Sequence, residues 1–311
     1  MAFWYAKEDG FWWAGSTKGP SWIEDVNVDL ETYIYRDATN TGLAGVGLTE
    51  ADLTEYTGDT EGVVGPQTIV IEDKIINSYF QLNPSVHLTL RRCKVNGHVD
   101  SDSPLSSFRA EDCDLDAGIY TNANIGFRNL TIKRCNINGG ITSVNANGNV
   151  LVEDSYCHGQ YVEPEMDTHT GAIAVFGGSN ITIRRTTIHN DSLDNGFGGG
   201  PTGNFQILND DGYVSDVLIE HCWIPATEGG YSVGLGYNPG WPTTGKEFGD
   251  NVTKIVFRHN IFGRRAANGK GGVFGTVTSW LPDSGNGVLG AGNLYYDNIW
   301  QDTGEPVIPN E

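Results

Sequence analysis

One stretch of the chain gathers side chains able to do acid–base or sugar-binding chemistry: Cys157-His158-Gly159-Gln160-Tyr161-Val162-Glu163-Pro164-Glu165-Met166-Asp167-Thr168-His169-Thr170-Gly171. It holds two imidazoles, three carboxylates and a phenol. An adjacent carboxylate and imidazole can exchange protons with a bound hydroxyl, and two carboxylates can flank a glycosidic bond. If chemistry occurs here, Asp167 and His169 are the expected catalytic groups, with Glu163 or Glu165 as the second carboxylate. His158, Tyr161, His189 and Asp191 are the expected substrate-binding residues, Tyr161 through the apolar face of its ring. The same residues also suit a polar surface loop whose histidines bond the backbone.

Two other clusters carry candidate chemistry. Arg264-Arg265-Ala266-Ala267-Asn268-Gly269-Lys270-Gly271 is the one basic cluster outside the repeat pattern described below. Arg264 and Lys270 could contact a carboxylated sugar, or the segment is a glycine-rich turn. Asn209-Asp210-Asp211-Gly212 offers hard oxygens to a calcium ion near Asp210 and Asp211. A plain Asx turn uses the same residues, and neither a metal nor a cofactor is expected.

These clusters must be positioned by a repeating framework. The chain has 311 residues with 42 glycines, few charges and no sustained helical period, a composition suited to short strands and tight turns. A ten-residue phrase recurs from Ile69, Leu88, Phe108, Leu130, Val150, Ile181, Val217, Ile255 and Val288. Compare Leu88-Thr89-Leu90-Arg91-Arg92-Cys93-Lys94-Val95-Asn96-Gly97 with Leu130-Thr131-Ile132-Lys133-Arg134-Cys135-Asn136-Ile137-Asn138-Gly139. Positions one, three, six and eight read as inward, which means strand, bend, strand. Starts lie 19, 20, 22 and 20 residues apart, then 31, 36, 38 and 33, so the later coils carry inserted loops. A unit that cannot bury its apolar face alone must stack on its neighbours. The expected fold is all-β, a right-handed single-stranded parallel β-helix of about nine coils spanning residues 61–311, its hand set by the rule for parallel crossovers.

The sixth position reads Cys93, Cys113, Cys135, Ser155, Thr186, Cys222, Asn260 and Asn293, with Cys157 at an inward eighth position. This predicts a buried ladder of small residues, not disulfides or a metal site. Position four (Arg91, Glu111, Lys133, Glu153, Arg184, Glu220, Arg258) alternates in sign from coil to coil. Position five (Arg92, Asp112, Arg134, Asp154, Arg185, His221, His259) does so until the histidines. At a coil spacing of about 4.8 Å each charge lies between two opposites, which fixes register. The ladders absorb seven of the 19 Lys and Arg, and the Arg264–Lys270 loop would lie roughly 15 Å, three coils, beyond Asp167. A uronate site needs cations, so neutral sugars fit better.

Residues 1–60 differ: they hold Trp4, Trp12, Trp13 and Trp22 with Phe3, Tyr5, Phe11, Tyr33 and Tyr35. They form either a cap over the first coil or an arm that docks on another chain. A net charge of −20 opposes nucleic acid and anionic membrane surfaces. The first nine residues lack a basic region followed by an apolar core, so no secretory signal is expected.

From about Thr41 to Val307 the chain resembles a family of right-handed parallel β-helix, pectate-lyase-like proteins of actinobacteria and of minor tail proteins of their phages. The resemblance rests on Gly118-Ile119-Tyr120, Val150-Leu151-Val152-Glu153-Asp154-Ser155, His158-Gly159-Gln160-Tyr161 and Asp167-Thr168-His169. Gly177-Gly178-Ser179-Asn180-Ile181-Thr182-Ile183-Arg184 and Ala267-Asn268-Gly269-Lys270 with Gly272-Val273 extend it. It implies the fold and a glycan-facing role. Many β-helix members carry an aspartate, then histidine, then Asp-Gly; Asp167 and His169 match, but Thr170 stands where the second acid would be. The resemblance implies a phage minor tail protein, fibre- or spike-like, located in the virion. It would bind host cell-envelope polysaccharide and contact other tail proteins through the N-terminal arm, with a homotrimer as one assembly. The alternative is a secreted, extracellular polysaccharide-degrading enzyme, a glycoside hydrolase before a uronate lyase. A structural spacer without a ligand is the third reading.

Overall fold

The repeat phrase dictates two short strands joined by a bend, and the computed structural model is built from that unit. It describes residues 30, 32–61, 63–237, 252–285 and 290–311, with the backbone of Trp4–Ala6 and Trp12–Ala14, which pair antiparallel. Three long parallel sheets run the length of a right-handed β-helix. Sheet I has nine strands, from Gln67–Glu72 to Leu294–Tyr296; sheet II has ten, from Thr54–Glu55 to Ile299–Trp300. Sheet III has eight, from Phe80–Gln81 to Gly275–Thr278. Each strand pairs with its counterpart one coil away, so the chain visits sheets I, II and III in turn through nine coils. The interior is one continuous apolar core, with Leu88, Leu90, Val95, Leu130, Ile132, Ile137, Ile181, Ile183 and Ile188 at 0–1 % exposure.

The bend between sheets I and II has a single recurring cause. Every fifth-position residue (Asp73, Arg92, Asp112, Arg134, Asp154, Arg185, His221, His259 and Asp297) is left-handed, with φ between 49° and 57°. Such a conformation costs a non-glycine residue about 1 kcal/mol or more, and it turns the chain sharply enough for the sixth residue to point inward. The side chains then stack in the alternating ladder, with Arg92–Asp73 at 2.7 Å and Arg134–Asp112 at 2.6 Å. On position four, Arg91 meets Glu72 at 2.7 Å, Lys133 meets Glu153 at 3.0 Å and Arg258 meets Glu220 at 2.7 Å.

The sixth-position ladder does more than pack. Its side chains accept the backbone N–H of the sixth residue one coil earlier: Cys113 Sγ from Cys93 (3.4 Å), Ser155 Oγ from Cys135 (3.0 Å) and Asn260 Oδ1 from Cys222 (2.9 Å). A small side chain with an acceptor is what the bend requires, and Cys, Ser, Thr and Asn all supply one. All five cysteines are buried and unpaired with one another, and burial pushes the Cys222 thiol up to about 12.

The ninth coil departs from the sequence reading. Val288 lies outside the described residues, and the pairing of Val256 with Leu294 puts Asn293, not Val288, at the start of the last phrase. Asn298 therefore occupies the sixth position and accepts from Asn260 N at 3.1 Å, 38 residues away. A polar asparagine in the first position, accepting Ile255 N at 2.9 Å, hides the phrase from a search for apolar residues.

The described part of the N-terminal segment forms a strap along the stack. Tyr33 Oη donates to the His221 carbonyl (2.7 Å), Tyr35 packs edge-on against Trp223, and Arg36 pairs with Asp154 (2.6 Å). Gly42 N then donates to Arg134 O and Leu43 N to Asp114 Oδ1, and Thr54–Glu55 joins the first-coil edge of sheet II. Tyr33 and Tyr35 thus pack on the chain itself, and among the described residues only Thr54–Glu55 adds a strand beyond the first coil. The aromatic side chains from Phe3 to Trp22, on which docking to another chain was expected to depend, lie outside the described residues. At the other end the tail folds back, with Ile299 bridging Pro306 and Asn310 N donating to Val277 O.

Candidate functional site

One corner, between sheets II and III, carries a loop in each of four successive later coils: residues 159–168, 189–199, 225–230 and 263–274. In-register pairing of Tyr156 with Thr187 and Cys157 with Ile188 puts His158 and His189 one coil apart, as the shared ninth position predicts. His158 stacks on Tyr156 of its own strand, ring centroids 4.0 Å apart, and its Nε2 lies 2.8 Å from Asn136 Oδ1. Burial lowers the pKa of both imidazoles, partly offset by the Asp191 carboxylate, so both are neutral at neutral pH.

Asn190, fully buried, ties these loops together. Its amide donates to Thr170 O (2.8 Å) and Gly203 O (3.1 Å), and its Oδ1 accepts from Ser192 Oγ (2.7 Å). Its carbonyl accepts from Thr227 Oγ1 (3.0 Å), one coil further on, and its N–H donates to Asn204 Oδ1 (2.6 Å). Three successive coils are thereby held in fixed relation, a preorganised base for a binding surface.

Beside this hub lies an open groove of about 420 Å³, lined by His189, Asp191, Leu193, Thr227, Glu228 and Arg265 among others. Asp191 Oδ1 also accepts the N–H of Gly159 (2.7 Å), which fastens the loop carrying the predicted site to the groove wall. Glu228 and Arg265 form an ion pair across the groove, Arg265 Nε to Glu228 Oε1 at 3.3 Å. The lining offers hydrogen-bond donors and acceptors beside a small apolar surface, with its one arginine already paired. That combination suits an uncharged polyhydroxylated ligand better than an anionic one.

Asp167 and His169 stand together, His169 Nε2 3.5 Å from Asp167 Oδ1, with side chains 73 % and 68 % exposed. Glu165 is exposed, Glu163 is half-buried, and Tyr161 is half-buried with its N–H on Gly140 O. Asn195 bridges this loop to the next, its amide donating to Glu163 O (2.8 Å) and Met166 O (2.7 Å). Arg264 points elsewhere, lying over the Trp300 ring at 4.3 Å with Asp302 and Glu305 each 3.6 Å away. Lys270 donates to Phe274 O at 2.8 Å within its own turn. The groove-facing cation is Arg265, adjacent in sequence to the predicted one. No group of three or more His, Cys, Asp or Glu among the described residues is arranged to hold a metal, Asp210 and Asp211 included. No helix among them is long and apolar enough to cross a membrane.

Glu228 and Asn190 escaped the sequence reading, and Arg265 was read only as a member of the basic cluster, because the three come from different coils and no local spacing joins them. A second cluster also went unread: Tyr79, His98 and Tyr120, from three successive coils, stack face to face at 4.7 and 3.9 Å. His98 Nε2 lies 3.7 Å from Asp100 Oδ2, and burial with the Asp102 charge pushes the Asp100 carboxyl up to about 6. Aromatic residues at a common coil position are the signal that would have found it.

Compared with known proteins, the chain matches no family model, no curated protein and no solved structure.

Proposed function

We propose that the protein binds an extended polysaccharide along the corner between sheets II and III, as a tail component that recognises the envelope of a bacterial host. The observation that carries this reading is the groove assembled from three consecutive coils and tied together by Asn190, with the exposed Asp167–His169 pair on the preceding coil. A rigid stack repeating about every 4.8 Å suits a polymer running along its axis. Asp167 and His169 stand in open solvent, where they can hydrogen-bond a glycan but have no enclosed, water-free site in which to force proton transfer. The acidic charge of the whole chain favours a neutral glycan over a polyuronate.

A second reading, glycoside hydrolysis, has one specific observation in its favour: His189 is held neutral in the groove beside Asp191, as a general base would be. Retention of the protein on cell-wall polysaccharide purified from an actinobacterium, with released sugar measured in parallel, separates the readings. The binding reading expects retention without turnover, and loss of retention with an unchanged melting temperature in the Asp167→Ala/His169→Ala double variant. A steady release of reducing ends would replace it with the hydrolase, and unchanged retention in the double variant would remove the Asp167–His169 pair from the site.

A further inference from the structure

We infer that Phe197 is the aromatic platform of the site, stacking on the apolar face of a pyranose ring of the bound glycan; this rests on the glycan-binding reading above. Phe197 is 60 % exposed at the tip of a glycine-flanked loop, Asn195-Gly196-Phe197-Gly198-Gly199-Gly200. Leu193, 69 % exposed and four residues earlier, lines the groove, and Met166, 53 % exposed, sits on the loop bridged to this one by Asn195. A phenylalanine left this far in water forgoes the burial that normally holds a large apolar side chain.

The loop is nevertheless locked. Asn195 Oδ1 accepts the N–H groups of Phe197 (2.8 Å) and Gly199 (3.1 Å) while its amide holds the neighbouring loop, and its own N–H donates to Gly199 O (2.9 Å). Gly200 N donates to Thr168 O (2.8 Å) and Gly196 N to Asp194 Oδ1 (2.6 Å). Gly199 is required by close approach: a Cβ there would lie 2.2 Å from Met166 O. Side-chain hydrogen bonds thus present one aromatic ring to solvent on the loop whose Leu193 lines the groove. Preorganised aromatics of this kind gain affinity by avoiding an ordering cost on binding. The ring recognises C–H surfaces, so the expected ligand is a neutral sugar with one largely axial C–H face. Tyr161, half-buried, is the poorer candidate for that contact.

The test uses the full chain and cell-wall polysaccharide purified from an actinobacterium. Phe197→Ala is expected to weaken binding about tenfold with no change in melting temperature, because the ring packs on little. Phe197→Trp keeps affinity, and its indole emission shifts on titration with the polysaccharide. Asn195→Ala, which frees the loop without removing the ring, weakens binding several-fold. Binding by the wild type with equal affinity in Phe197→Ala overturns the platform alone. Absence of binding by the wild type overturns the glycan reading and the platform with it.

Discussion

Replacing Glu153 with glutamine removes the acid at which the two charge ladders are most densely joined. Its side chain is 7 % exposed, with Lys133 Nζ at 3.0 Å, Arg184 Nε at 2.7 Å and the Arg185 guanidinium also in contact. A hydrogen bond to a charged group is worth about 1.5–3 kcal/mol when its partner is otherwise stranded. Here the three cations are 28 %, 36 % and 46 % exposed, so they regain water when the acid is lost. Each contact then contributes roughly 0.5–1 kcal/mol, and Glu153→Gln should cost about 2 kcal/mol in urea unfolding at pH 7. Burial opposes ionisation of Glu153, but hydrogen bonds from Lys133 and Arg184 and the charges of Arg184 and Arg185 outweigh it, so the folded carboxyl titrates below its ordinary value. A depressed carboxylate pKa contributes stability above the unfolded value of about 4.3 and loses it as pH falls through the folded one. The difference between wild type and variant should therefore be full at neutral pH and shrink below about pH 4. A difference under about 0.5 kcal/mol at pH 7, or one that persists undiminished at pH 3, would refute the view that the ladder's acids hold their coils through charge.

Two further predictions concern the framework. The five cysteines should be inert to a thiol reagent in the native protein and should all titrate after unreduced denaturation; three or fewer titrating thiols would refute the ladder. Asp100, whose folded pKa is raised, binds its proton more tightly folded than unfolded, so it lowers stability as pH rises from about 3.9 to about 6. Asp100→Asn should thus be more stable than wild type at pH 7, on the order of 1 kcal/mol after solvent screening, and nearly equal to it at pH 3.5; a destabilised variant at pH 7 would show that the carboxylate is held by a partner.

The repeat was legible because its inward residues recur with their polar neighbours, as in Leu88–Gly97 and Leu130–Gly139, and the register from Ile69 to Ile255 follows directly. It failed at the last coil, where Asn293 takes an apolar position by bonding the Ile255 backbone. The alternating charges of position five were visible, but their left-handed backbone was not: Asp and His are enriched in that conformation, whereas Arg92, Arg134 and Arg185 belong to a type that is not, so residue type alone did not mark the position. The strap could not be read from any period, because Tyr33, Arg36 and Leu43 each meet a different coil. At the candidate site, the 158–170 loop stood out through local composition. The groove beside it depends on residues from coils more than 30 positions apart, such as Asp191, Glu228 and Arg265. Whether Arg264 or its neighbour faces that groove is decided by the packing of Arg264 on Trp300, which no local pattern contains.

The most direct measurement is the affinity of a groove-filled variant. Ala266 is exposed and lines the groove, so Ala266→Trp fills that space without disturbing the core. With actinobacterial cell-wall polysaccharide as the probe, the account predicts measurable binding by the wild type and its loss in Ala266→Trp, at an unchanged melting temperature. Wild-type affinity retained in that folded variant would contradict it.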